Sequence, residues 1–113
     1  MSKLYSVDSL KEIAGDDTDF MAVVAETFLK EIPPDLEALV NAVENDNREL
    51  AYQFAHKMKP NIEMFGIDLL KDITTIEAWT RSSKNKNSIK EMVDNVNDTL
   101  HKVFEQLKND FSL

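Results

Sequence analysis

Cysteine is absent from this chain of 113 residues. Its absence excludes a disulfide framework, thiolate zinc sites and thiol nucleophiles, and fits a reducing compartment. Glycine occurs only at Gly15 and Gly66, and proline only at Pro33, Pro34 and Pro60. So few backbone breakers predict long helices with short connections, not many short strands. No apolar run approaches the roughly 20 residues that a membrane-spanning helix needs, and the opening MSKLYSVDSLKEIA lacks an apolar signal segment. No membrane partner and a cytoplasmic location are therefore expected. Positive charge is in deficit, with 13 Lys and Arg against 21 Asp and Glu for a formal net charge of −8. Nucleic acid is an unfavourable partner for such a field, and the acidic surface favours a soluble monomer. The chain holds no internal repeat, glycine-rich phosphate loop or ATP-binding pattern.

Apolar residues make up 42% of the chain and charged residues 30%, the balance of one globular domain spanning residues 1–113. That length and the initial methionine favour a freestanding small protein. The first helix is expected to start near Asp8 and stop at Gly15, burying Leu10 and Ile13. Asp17 or Thr18 caps a second, with Phe20, Val23, Val24, Thr27 and Phe28 on its apolar stripe. Pro33-Pro34 restricts Ile32 and is expected to interrupt that helix, with Asp35, Leu36, Leu39, Val40 and Val43 on a kinked or restarted continuation. The turn signal NDN at 45–47 precedes a helix from about Arg48 to Phe65, stopped by Gly66. A further helix carries Leu69, Leu70, Ile73, Ile76 and Thr80, with Trp79 beside the stripe and more fitted to core than to interface. It fades into the polar SSKNKN at 82–87. Val93, Val96, Leu100, Val103, Phe104, Leu107 and Phe111 form the seam of the last helix. The expected fold is all-α, an antiparallel four-helix bundle with one short additional N-terminal helix.

At about 100° per residue, Leu50, Ala51, Phe54, Met58, Ile62 and Phe65 share one stripe of the helix that begins near Arg48. His56 falls opposite that stripe, with Tyr52, Lys59, Pro60 and Glu63 as its helical neighbours. The histidine is thus expected on the surface. Pro60 deprives the His56 carbonyl of its helical donor, at a cost of roughly 3 kcal/mol, and a bend or an unmade bond is expected there. A rule broken beside a displayed histidine marks a candidate functional position. A general-base enzyme is disfavoured, because a convex face lacks a pocket and Glu63 is the only acid that shares it. His101, one residue off the last seam, reads as an exposed spectator. The acidic runs 16–17 and 35–37 read as solvated faces, and no metal site is expected.

His56-Lys57-Met58-Lys59, with Ala55 before and Gly66 ten residues after His56, resembles the signature of histidine-containing phosphotransfer (HPt) domains of two-component phosphorelays. The downstream pair Ile76-Glu77 resembles a hydrophobic-Glu pair often found in that family, and the order of helices matches across nearly the whole chain. Pro60 departs from the family's usual glycine, though both residues keep a bulky side chain away from the imidazole. The resemblance implies that His56 accepts a phosphoryl group on Nε2 and that Lys59 offsets its charge. It implies partner-binding by Tyr52, Lys57, Pro60, Glu63, Met64 and Gly66. It further implies response-regulator receiver domains and a hybrid histidine kinase as partners, no cofactor of the chain's own, and Mg²⁺ held by the receiver. Such a protein is a phosphoryl carrier and not an enzyme. The alternative is a helical interaction or scaffolding module without phosphorylation.

Overall fold

Three helices begin where a short polar side chain takes up a free backbone N–H. Ser6 accepts from the Ser9 amide at the head of α1 (Val7–Ala14), and Asp17 accepts from the Phe20 amide at the head of α2 (Thr18–Glu44). Asn47 accepts from the Leu50 amide at the head of α3 (Arg48–Met64). Helix α4 (Leu70–Trp79), a 3₁₀ turn (Lys86–Ile89) and α5 (Lys90–Phe111) complete the computed structural model, which describes residues 3–113. Among these residues there is no strand, and the fold is all-α.

The buried residues form a single cluster. Helix α2 packs on α3, α3 on α4, α4 on α5, and α5 back on α2, with α1 laid against α2. The C-terminal seam reads as expected: Val93, Val96, Leu100, Val103, Phe104 and Leu107 are buried, and Phe111 packs at its end. Trp79 is buried, and the polar 82–87 stretch holds the start of the 3₁₀ turn, which the sequence did not announce.

Two expectations about α2 need correction. The helix is not interrupted at Pro33-Pro34 but runs for 27 residues, about 40 Å. The two prolines remove two backbone donors. Burial of Ile32, Asp35 and Leu36 around them holds the chain helical regardless. Continuity also fixes which face is inward. Met21, Ala25, Phe28, Ile32, Leu36, Leu39 and Val43 are buried at steps of three and four residues, so the phase set downstream of the prolines carries through to the start. Phe20 and Val23, placed on the apolar stripe by the sequence, are 48% and 60% exposed. Ile13 of α1 and Leu50 of α3 are likewise exposed, and Ala55 takes a core position on α3 instead.

Pro60 does not break α3, which is helical on both sides of it. His56 and Pro60 both lie on the exposed face, where water can take the bond that proline cannot give.

Both glycines sit at positive φ just past a helix end, Gly15 at 64° and Gly66 at 61°. At Gly66 space is short as well: an added Cβ would lie 2.6 Å from the Ser6 Cβ. Ser6 cannot easily retreat, because its amide donates to the Phe65 carbonyl at 2.7 Å. Gly66→Ala is therefore expected to destabilise the fold by about 1–3 kcal/mol. Urea denaturation measures this, and an unchanged midpoint would show that the segment before α1 is free to move.

The same N-terminal segment is tied to α5. The Leu4 amide donates to the Gln106 Oε1 at 2.8 Å, and the buried Tyr5 donates its hydroxyl to Asp110 at 2.6 Å. Burial, together with Asp110, pushes the Tyr5 phenol far up. The Tyr5 hydrogen bond, helped by Lys3 at 3.2 Å, holds the Asp110 carboxyl below its usual range against the opposing effect of burial. A carboxyl with a lowered native value adds stability that is complete above its unfolded value of about 3.9 and is lost as pH falls through the native one. Tyr5→Phe should cost about 1–2 kcal/mol at neutral pH. It should also flatten the loss of stability on acidification below about pH 4. Identical pH dependences of wild type and variant would remove Asp110 from this account.

Candidate functional site

His56 sits on the outer face of α3 with its side chain 64% exposed. Its Nδ1 lies 2.9 Å from Oε2 of Glu77, which reaches across from α4. An ionised carboxylate only accepts, so Nδ1 carries the proton and donates it. In the neutral ring this leaves the Nε2 lone pair unprotonated. The other oxygen of Glu77 accepts from Lys59 Nζ at 3.1 Å. One carboxylate thus serves both the histidine and the lysine one turn along, and its side chain is only 11% exposed.

Glu77 is the residue that the helical wheel of α3 misses. Glu63, taken there as the only acid on the face, is exposed and pairs with nothing among the described residues. Glu77 had entered only through the Ile76-Glu77 pair, with no position relative to His56. A signal was present. Glu77 stands four residues after Ile73 and directly after Ile76, inside the apolar stripe of α4, where a carboxylate needs partners.

A second carboxylate repeats this arrangement on the other side. Asp35 of α2 is 6% exposed and accepts from Lys57 Nζ at 3.1 Å. The reading of 35–37 as a solvated acidic face therefore fails at Asp35, which lies in the stripe between Ile32 and Leu39. Asp35 and Glu77 are the only buried polar or charged residues among those described. Each receives a lysine that flanks His56 in the sequence, so α3 is clasped to α2 by Lys57 and to α4 by Lys59.

Aromatic and cationic groups complete the surroundings. The Tyr52 ring lies nearly parallel to the imidazole, with 7° between planes and 5.6 Å between centroids. The Arg81 guanidinium sits over the Tyr52 ring at 4.9 Å. Neither contact was expected from the sequence. The position of α4 is fixed from its far end: Arg48 donates to the carbonyls of Trp79, Ser82 and Lys84 and lies 4.4 Å from the Trp79 ring. This pins the end of α4 to the start of α3, and so places Glu77 beside His56.

The remaining candidates spread along α3. Pro60 and Glu63 are exposed, Met64 is half-buried, and the three line a shallow depression with Ser9, Glu12 and Ile13 of α1. Gly66 lies past the helix end under Ser6, roughly 15 Å along the axis from His56, and serves the turn there. His101 is exposed on α5, edge-on to Phe104, and belongs to a different face. No group of three or more potential ligands is placed to hold a metal ion among the described residues.

No family model, curated protein or solved structure matches the chain in comparison.

The clasp geometry separates the two lysines. Lys57→Met leaves a buried carboxylate without its cation and should cost about 1–3 kcal/mol of stability, read by urea denaturation. Asp35→Asn in the same background should recover part of that loss. No recovery in the double variant would show that Lys57 contributes by other means.

Proposed function

We propose that this chain is a histidine-containing phosphotransfer domain that relays a phosphoryl group between receiver-domain aspartates through His56. The observation that carries the reading is the exposed His56 ring whose Nδ1 is held by the buried Glu77, leaving Nε2 toward solvent as the nucleophile. On this reading α2, α3, α4 and α5 form an antiparallel four-helix bundle, with α1 as the short additional helix. It also predicts a cytoplasmic protein whose partners are response-regulator receivers and a hybrid histidine kinase.

The transfer balances without a cofactor of the chain's own. The Nε2 lone pair attacks the phosphorus of the partner's aspartyl phosphate. The bond between phosphorus and carboxylate oxygen breaks, and the carboxylate leaves with the electron pair; a Mg²⁺ ion held by the partner would offset the charge left on that carboxylate. The proton on Nδ1 stays in its bond to Glu77, so the ring is not required to shed a proton during attack. In the product, Glu77 faces the Nδ1–H of a phosphoimidazole and favours its positive form. That polarises the P–N bond for onward transfer. Lys59, already beside the ring, has only to turn from Glu77 to meet the phosphoryl oxygens. Pro60 and Met64, with Ile13 of α1 beside them and Phe20 and Val23 of α2 lining a second depression with Met64, offer apolar surface on which the receiver can settle, and Glu63 lies at its edge.

A phosphorylated receiver with Mg²⁺ should label wild-type protein with an acid-labile, base-stable phosphoryl group. His56→Gln should abolish labelling and leave the far-UV circular dichroism unchanged, with the thermal midpoint lowered by at most a few degrees because Lys59 still faces Glu77. His101→Gln should label as wild type. Lys59→Ala should slow transfer without abolishing it. Full labelling of the His56→Gln protein, or no labelling of wild type by any receiver of the same cell, overturns the proposal and leaves a helical module without this chemistry.

A further inference from the structure

A single hydrogen bond does not fix an exposed imidazole. With only the Glu77 contact, the His56 ring can still turn about the Nδ1 to oxygen line and swing its Nε2 through solvent. The freedom that remains is rotation of the ring plane, and a flat group against the ring face would remove it. Tyr52, one turn earlier on α3, supplies such a group: near-parallel at 7°, with a centroid separation of 5.6 Å that fits an offset stack.

Tyr52 is itself braced. The Arg81 guanidinium lies 4.9 Å from its ring centroid, within cation–π range. The Tyr52 hydroxyl makes no hydrogen bond among the described residues, so the ring contributes its face and not its polar tip. Arg81 likewise has no carboxylate partner among them, although the chain carries 21 acidic residues. Its side-chain contact is the Tyr52 ring. The turn that bears Arg81 is held by the Arg48 bonds to the Ser82 and Lys84 carbonyls. The order from scaffold to ring is then Arg48, the 80–85 turn, Arg81, Tyr52, His56.

We infer that Tyr52 is a positioning residue that fixes the plane of the His56 ring, and that Arg81 is the brace that keeps Tyr52 in place. The role in transfer rests on the phosphotransfer reading; the effect on the ring does not. It differs from the docking role that sequence alone assigned to Tyr52, because a positioning residue matters even when the phosphoryl donor is too small to dock.

The test uses the full chain with two readouts. In the first, ¹³C relaxation of the His56 ring carbons in histidine-labelled protein reports how freely the ring plane moves. Wild type and Tyr52→Phe should both show a ring about as restricted as the backbone that carries it. Tyr52→Ala should show a mobile ring, and Arg81→Gln an intermediate one. In the second, the donor is phosphoramidate: Nε2 attacks phosphorus, the P–N bond breaks, and ammonia leaves with the electron pair. Labelling of His56 should be unchanged in Tyr52→Phe and fall on the order of tenfold in Tyr52→Ala, with the thermal midpoint held. A His56 ring as restricted in Tyr52→Ala as in wild type overturns the inference. So does phosphoramidate labelling that is unaffected while transfer from a receiver falls, since that is the pattern of a docking residue. Should wild type accept no phosphoryl group from either donor, the relay reading fails and the ring-mobility measurement alone decides the role of Tyr52.

Discussion

Glu77 is the group on which the arrangement around His56 depends. A carboxylate taken largely out of water is unfavourable unless hydrogen-bonded donors face it. Here those donors are an imidazole N–H and a lysine ammonium, both from α3. The need to satisfy Glu77 therefore orders two side chains that would otherwise wander on a convex surface. It also joins α4 to α3 at their outer edge. Held on one edge by Glu77 and on one face by Tyr52, His56 has a set orientation without being buried. An exposed nucleophile with a fixed direction is what a carrier needs, because its phosphoryl group must be both received and given up in the open.

Asp35 and Lys57 extend the same principle to α2. They show why the histidine's two neighbouring lysines are not equivalent. Lys57 answers a buried acid on a helix that does not touch the imidazole, so its charge is already committed. Lys59 answers the acid that the imidazole also uses. On the phosphotransfer reading, Lys59 would exchange that partner for a phosphoryl oxygen while Glu77 keeps the imidazole N–H. Lys57 has no such substitute for Asp35. The asymmetry arises from which helix carries each acid.

Breaker scarcity made the helical class legible in the sequence. The cap at Asp17 (one of two candidates with Thr18), the turn at NDN and the stop signals at Gly15 and Gly66 were legible because local chemistry decides them. His56's exposure was legible because it follows from helical phase within one element. The face of α2 was lost for a single reason. A break assumed at Pro33-Pro34 freed the upstream phase, and the bulky Phe20 and Val23 then outweighed the small Ala25. The contacts of Glu77, Asp35 and Arg81 were beyond a wheel drawn for α3 alone, since each comes from another helix or turn. Even so, a carboxylate within the apolar stripe of its own helix, as at 35 and 77, is readable as a buried acid in search of a cation.

Charge balance at the site bears on why such a protein would act with a partner and not alone. Lys59, Glu77 and a neutral His56 sum to zero, and Lys57 is balanced by Asp35. A phosphoryl group on Nε2 would add roughly two negative charges, and drawing Lys59 away from Glu77 supplies one positive charge only by baring another negative one. Arg81, without an acidic partner among the described residues, stands one aromatic ring away and offsets part of the remainder. The rest must come from outside the chain. On the phosphotransfer reading, a donor that brings a divalent cation would close that deficit during transfer and reopen it on leaving. On that reading the phosphorylated site would then be left under-neutralised, which would favour its discharge to the next cation-bearing acceptor.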